Sequence, residues 1–325
     1  MDSCPAPRRL TTATENPLSK IDVTFPSAGI PLAAHLHLPD APAEGPRPAI
    51  VVGHPGTGVK EQAAGLYARD LAERGFVTLA YDAAYQGESG GEPRGLEDPA
   101  QRVEDIKAAV SFLSGRSEVD PERIGVLGIC ASGGYALAAT AGDRRVRALA
   151  TVSAVDVARQ FRLGADGIQD PAVFLGMLDA AAHARTVAAR GEEPPVLALF
   201  PGTVEQAYAL GGEHGAEGFE YYRTERGLHP RSAGFLTWDS VDRMAAFDAF
   251  APIPLIGGRP LLMVVGSRAV TSWMSVEAFQ RATCPKEICW IDGASHVDLY
   301  DRKQYVDVAV ERIAGFFGEN LGQAA

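Results

Sequence analysis

The segment Arg123-Ile-Gly-Val-Leu-Gly-Ile-Cys-Ala-Ser-Gly-Gly-Tyr135 joins a short β-branched apolar run to a run of small residues. Residues 124–129 read as a strand buried on both faces, and residues 131–141 as a small-residue helix. At their junction, Gly128-Ile129-Cys130-Ala131-Ser132 sets a thiol between small residues two positions away on either side. A nucleophile on a sharp strand-to-helix turn needs this spacing, because the turn crowds those two positions against the backbone. The helix behind the turn points its N-terminus at the sulfur, which is expected to favour the thiolate and lower the thiol pKa. Two other readings stand beside this one. Cys130 could be a buried apolar filler, or Ser132 could be the nucleophile, displaced two residues into the helix.

On either side of this junction, strands and helices alternate. Before it come strand-like runs at 20–25, 30–38 and 49–53, a helix over 60–74 and a strand over 76–82. Asp98 and Pro99 form an N-cap and first-turn pair. The helix that follows places Val103, Ile106, Val110 and Leu113 on one face. After it, residues 146–153 read as another strand. The alternation resumes with strands at 261–266 and 287–292, a helix at 275–282, and a last helix with Val306, Val310, Ile313 and Phe317 on one face. Such alternation predicts an α/β fold with a mostly parallel sheet and helices on both sides.

Between these halves, residues 157–255 lack clean strand runs but hold eleven aromatics, among them Phe161, Phe200, Tyr222 and Phe250. That is too aromatic for a surface linker and is expected to be a largely helical cap. The expected organisation is an arm over 1–19, a core formed by 20–156 and 256–320, and a cap or lid over 157–255.

Composition narrows the function. The chain has 325 residues and a net charge of -11, so it can bury a sizeable core but lacks the basic surface that nucleic acid requires. The four cysteines, at 4, 130, 284 and 289, give neither a disulfide framework nor a zinc spacing. No signal-like segment or spanning run of about 20 apolar residues is present. A soluble, cytoplasmic protein with no membrane partner and no metal is expected. The Gly-rich stretches 53–58 and 128–134 match neither phosphate-binding pattern, and no cofactor is implied.

A nucleophile needs a base. His296, between the last strand and the last helix, occupies the base position in a nucleophile…acid…His chain order. His54 lies in Val51-Val-Gly-His-Pro-Gly-Thr-Gly-Val-Lys60, after the third strand, where an oxyanion-binding loop is expected. The backbone N–H groups of Gly56 and Ala131 are the expected donors, with His54 as a structural hydrogen-bonder. His35 and His37 alternate on a strand and are expected to face outward. His183, His214 and His229 show no metal-like spacing.

Taken together, these features resemble the α/β-hydrolases of the dienelactone-hydrolase-like branch. They are similar to bacterial hydrolases and fungal polyketide transferases that share a Gly-Ile-Cys-Ala-x-Gly-Gly-Tyr elbow. The resemblance is carried by residues 54–62, 81–94, 128–135, 221–227 and 296–301. It implies an α/β-hydrolase fold with an eight-stranded, mostly parallel sheet, flanking helices and a helical cap. It also implies acyl chemistry through Cys130 and His296 on an ester, lactone or acyl-thioester. The substrate would be a small-molecule acyl compound, apolar or polyketide-like, free or bound to a carrier protein or CoA. The alternative is a non-catalytic small-molecule binder on the same fold. An exposed cap edge would support a homodimer.

One position departs from the pattern. The usual triad acid follows the seventh strand, but no carboxylate occurs between Arg259 and Glu277. Asp156, after the sixth strand, is the favoured replacement. Asp82 and Asp298 are the others, each equally well read as a loop or helix-start residue.

Overall fold

The computed structural model describes residues 19–39 and 45–322. The expected arm over 1–19 lies outside the described residues except for Ser19, the first residue of β1 (Ser19–Ser27). The chain continues through β2 (Ile30–Leu38), β3 (Arg47–Gly53), α1 (Ala63–Ala72), β4 (Val77–Tyr81), α2 (Pro99–Ser114), β5 (Val119–Ile129), α3 (Ala131–Gly142) and β6 (Val146–Val152). Then follow α4 (Val157–Leu163), α5 (Pro171–Ala189), β7 (Val196–Ala198), α6 (Val204–Arg223), β8 (Phe235–Thr237) and α7 (Asp239–Ala245). The chain ends with β9 (Leu261–Gly266), α8 (Ser272–Arg281), β10 (Lys286–Ile291), α9 (Asp298–Asp301) and α10 (Lys303–Leu321).

Eight strands form one sheet in the order β1-β2-β4-β3-β5-β6-β9-β10. The two pairings made by β2 are antiparallel and the others are parallel. This is the α/β-hydrolase fold. Its central strands are apolar throughout because helices cover both faces. Alternate residues of one strand therefore enter different cores. Val51 and Val126 pack with Ile106, Val110 and Tyr135 on the α2–α3 face. Ile50, Val52, Leu127 and Ile129 pack with Tyr67, Leu71, Val310 and Phe317 on the α1–α10 face. Gly125 is required by that packing, since a Cβ there would stand 2.6 Å from the Phe317 ring.

The helix after Asp98 is capped as its sequence indicates: the Asp98 carboxylate accepts from the backbone N–H groups of Ala100 and Gln101. The helix expected over 60–74 starts later, at Ala63. Lys60 instead lies in a turn and is buried against Asp82, at 2.9 Å, and Glu88. His35 and His37 do not face outward. Both are buried, because β1 covers the outer edge of β2 and α1 lies over the face they share. Burial pushes the His37 pKa down to about 4.

Between β6 and β9 the chain adds no strand to the main sheet. Helices α4–α7 fill the interval, together with a two-stranded antiparallel ribbon of β7 and β8 that the sequence pattern did not reveal. The strand order reverses between β3 and β5, so the loops after these strands diverge and leave a crevice at their C-terminal ends.

Candidate active site

Cys130 sits at that crevice, between the end of β5 and the start of α3. Its backbone takes φ +54° and ψ -118°, an unfavourable left-handed turn for a non-glycine residue. The neighbours make the turn possible by being small. A Cβ on Gly128 would stand 2.2 Å from the Ser132 carbonyl oxygen, and one on Gly133 would stand 2.6 Å from Ala154 Cβ. The elbow is thus a packing consequence of its glycines.

The loop after β3 approaches the same sulfur. Gly58 N–H donates to the Pro55 carbonyl at 3.0 Å, and Thr57 takes φ +54°, so the chain folds back on itself. The backbone N–H groups of Gly56 and Ala131 lie near Cys130 Sγ and favour its thiolate. His54 supports the loop from beneath. Its Nδ1 contacts the Pro55 carbonyl at 2.6 Å, and its Nε2 accepts from Ala83 N–H at 3.0 Å. Ser132 is engaged elsewhere, donating to the His54 carbonyl at 2.6 Å and accepting from Arg102 at 3.1 Å. It is buried and bound to structural partners, whereas the Cys130 thiol borders the cavity.

The thiol is not tuned as its place at a helix N-terminus suggests. Burial pushes the Cys130 pKa up. The Tyr300 hydroxyl and the N–H groups of Ala131 and Gly56 pull the other way. Desolvation of a thiolate outweighs a helix terminus here, because the half-buried sulfur faces a largely apolar cavity.

His296 is fully buried, and it does not touch Cys130 directly among the described contacts. Tyr300 stands between them. Its hydroxyl lies 3.0 Å from His296 Nε2 and stands close enough to the Cys130 sulfur to favour the thiolate. Burial keeps the His296 pKa well below the ordinary imidazole value, and the neighbouring His214 adds to the effect. The two imidazole rings meet edge to face at 4.8 Å. On its other side, His296 Nδ1 contacts Thr271 Oγ1 at 2.5 Å. In the tautomer able to act as a base, Nδ1–H donates to Thr271 while Nε2 accepts from Tyr300.

Asp156 is not brought to His296. It caps α4, where its Oδ1 accepts from the N–H groups of Ala158 and Arg159 at 2.9 and 3.3 Å. Its Oδ2 accepts from Ala249 N–H at 2.9 Å. The position beside His296 Nδ1 is taken by Thr271, on the loop after β9, because β9 and β10 are adjacent parallel strands and the loops at their C-terminal ends lie side by side. Asp82 organises the Lys60 turn, and Asp298 exchanges hydrogen bonds with Ser295 at the start of α9. Asp156→Ala should therefore cost about 2 kcal/mol of stability through loss of the cap. Denaturant unfolding beside a turnover assay checks this: lost turnover in a variant as stable as the parent would return Asp156 to the chemistry.

A cavity of ≈ 200 Å³ opens beside Cys130. Val157, Phe161, Leu199, Phe200, Leu236 and Met244 give it apolar walls, and Tyr222 and Tyr300 stand near the sulfur. Arg226, between α6 and β8, holds the wall in place by pairing with Asp301 at 2.7 Å and bonding the Val297 carbonyl. Among the described residues, no group of three or more His, Cys, Asp or Glu is placed to hold a metal ion. No helix among them is long and apolar enough to cross a membrane.

Two of these residues, Tyr300 and Thr271, escaped the sequence reading. Tyr300 carried a usable signal, since it lies four residues after His296 at the start of a helix, where such spacing aligns side chains. Thr271 carried none that separated it from Ser267 or Ser272 in the same loop.

Comparison with known proteins agrees with this architecture. Residues 28–198 match the family model described as X-Pro dipeptidyl-peptidase (S15 family). The chain is 43% identical to the uncharacterized protein YcjY of Escherichia coli strain K12, over 84% of this chain and 89% of that protein. The crystal structure of hypothetical protein PA2218 from Pseudomonas aeruginosa superposes with a TM-score of 0.85 at 38% identity, covering 96% of this chain and 99% of that one. At 25% identity, over 83% of this chain and 84% of the relative, it is similar to thiohydrolase aneE of Aspergillus aculeatus. A matched stretch covering the elbow, the loop after β3 and strands β2 to β6 of the sheet places this chain in the X-Pro dipeptidyl-peptidase (S15) family, on the α/β-hydrolase fold.

Proposed function

We propose that the protein cleaves thioesters or esters of compact apolar acyl groups through an acyl-Cys130 intermediate. The observation that carries this reading is the set of groups converging on one sulfur: the N–H groups of Gly56 and Ala131 on one side and the Tyr300–His296 pair on the other.

The steps follow from that geometry. The Cys130 S–H proton passes to the Tyr300 oxygen as the Tyr300 proton passes to His296 Nε2. The sulfur attacks the acyl carbonyl carbon, and the carbonyl oxygen gains charge where the two N–H groups point. Collapse expels the leaving thiolate or alkoxide, which takes up the proton held on His296 as it departs, and leaves the acyl group on Cys130 with His296 neutral again. Water, or an acceptor alcohol, then loses a proton along the same route and releases the acyl group as acid or ester.

The chemistry behind His296 favours thioesters over amides. With Thr271 in place of a carboxylate, no anion stabilises an imidazolium, so His296 is a weak base and its protonated form is costly. A thiolate leaves without prior protonation, whereas an amine does not. The relative named a thiohydrolase supports the same class. The enclosed volume is below the roughly 300 Å³ typical of drug-sized sites, which supports short to medium acyl groups.

Incubation with acyl-thioesters of graded length, followed by intact-mass analysis, tests this. An acyl adduct located on Cys130 by peptide mapping is expected. Free acid as product indicates hydrolysis, and ester formation on adding alcohols indicates transfer. Tight binding of the same compounds with no adduct and no turnover would favour the non-catalytic reading.

A further inference from the structure

Eight buried side-chain polar atoms among the described residues lack a hydrogen-bond partner. Three of them belong to residues that border the cavity beside Cys130: Thr57 Oγ1, Glu97 Oε2 and His214 Nδ1. Unmet polar groups are costly and rare in native interiors, so their concentration at one apolar cavity points to something that completes them.

Glu97 is the most constrained of the three. It directly precedes the Asp98 cap of α2 and is almost completely buried. Its Oε1 accepts from the Tyr135 hydroxyl at 2.8 Å and stands 3.3 Å from Arg102 Nε. The rest of the Arg102 guanidinium is engaged by His54 and Ser132 and cannot turn to the second carboxylate oxygen. The apolar walls formed by Leu236 and Met244 offer no donor. The carboxylate is thus fixed in orientation, balanced in charge by Arg102, and left with one oxygen unpaired.

We propose that Glu97 is a specificity-determining residue whose Oε2 accepts a hydrogen bond from a hydroxyl on the acyl group, so that the site selects hydroxylated acyl compounds over plain ones. This rests on the reading of the cavity as the acyl site. Charge balance favours a neutral hydroxyl over an ammonium, because an ammonium would add an uncompensated positive charge to a pair that is already neutral. His214 adds a donor to the same lining. Gln160 Nε2 lies 3.2 Å from His214 Nε2 and donates to it, which leaves the proton on Nδ1.

Binding to the Cys130→Ala variant tests the subsite without requiring turnover. Methyl hexanoate, its positional monohydroxy isomers and the matching amino esters are compared by calorimetry. One hydroxy isomer is expected to bind about tenfold or more tightly than methyl hexanoate, as unmet buried hydrogen bonds predict. In the Cys130→Ala/Glu97→Leu protein that preference is expected to fall to about onefold, because leucine fills the same space and offers the hydroxyl no acceptor. Equal affinity for plain and hydroxylated esters, a preference that survives Glu97→Leu, or tighter binding of the amino ester would each overturn the proposal. Should Glu97→Leu not fold, Glu97→Asp withdraws the same oxygen and reads the same preference. Failure of the acyl-enzyme reading is seen separately, as the absence of an adduct on the unsubstituted protein.

Discussion

Cys130→Ala should lower kcat/KM for thioester cleavage by about 10⁴-fold or more, the loss expected when a covalent nucleophile is removed. The fold should survive. Alanine is smaller than cysteine, already flanks the turn at Ala131, and asks nothing further of the positive-φ elbow. Cys130→Ser is the more telling variant. A hydroxyl is a far weaker acid than a thiol, and it relies on a strong base to become a nucleophile. His296 is backed by Thr271 rather than a carboxylate and is held neutral by burial. The serine variant should therefore be nearly as inactive as the alanine variant. Steady-state kinetics with a chromogenic thioester, alongside thermal melts, measures both. A serine enzyme with more than about a tenth of the parent activity would show that His296 is a stronger base than its surroundings imply.

Tyr300→Phe should be the next most damaging change, at about 10²-fold in the acylation rate, within the range assigned to positioned proton transfer. The phenyl ring keeps the packing of Tyr300 against Tyr221, whose ring centroid is 5.2 Å away, and against His296. What goes is the hydroxyl that joins Cys130 to His296. The pH dependence separates this from a packing defect. Burial already raises the Cys130 thiol pKa, and the Tyr300 hydroxyl opposes that rise by donating to the thiolate. Without it, the thiol pKa must move further up. Alkylation of Cys130 by iodoacetamide should then be slower at neutral pH, and its alkaline rise should shift to higher pH. A variant with a lowered melting temperature but an unmoved alkylation profile would mean that Tyr300 only packs, and that His296 reaches the sulfur another way.

The sequence was legible wherever a rule acts over a few residues. The elbow could be read because a strained turn at Cys130 tolerates only small neighbours, and Gly128 and Ser132 lie two residues to either side of it in sequence. The parallel sheet could be read because strand and helix periods alternate. Asp156 was located correctly after the sixth strand, yet its side chain caps α4 instead of serving His296, since a carboxylate beside free backbone N–H groups meets its needs locally. The outward orientation expected for His35 and His37 failed for a related reason: alternation along a strand fixes which residues share a face but not what covers that face.

The sequence by itself determined the α/β order of the chain, the Cys130 turn and the glycine-rich loop after β3, since these arise from backbone sterics and short-range hydrogen bonding. Only the tertiary structure decided which groups surround the sulfur. Thr271 and His296 come together from loops 25 residues apart, and Tyr300 comes between His296 and Cys130 only when α9 docks on the elbow. Glu97 meets Tyr135 across 38 residues to form part of a cavity wall. Such partnerships follow from how helices pack over a sheet, and burial then sets the protonation of the thiol and the imidazole; neither is written in residue spacing.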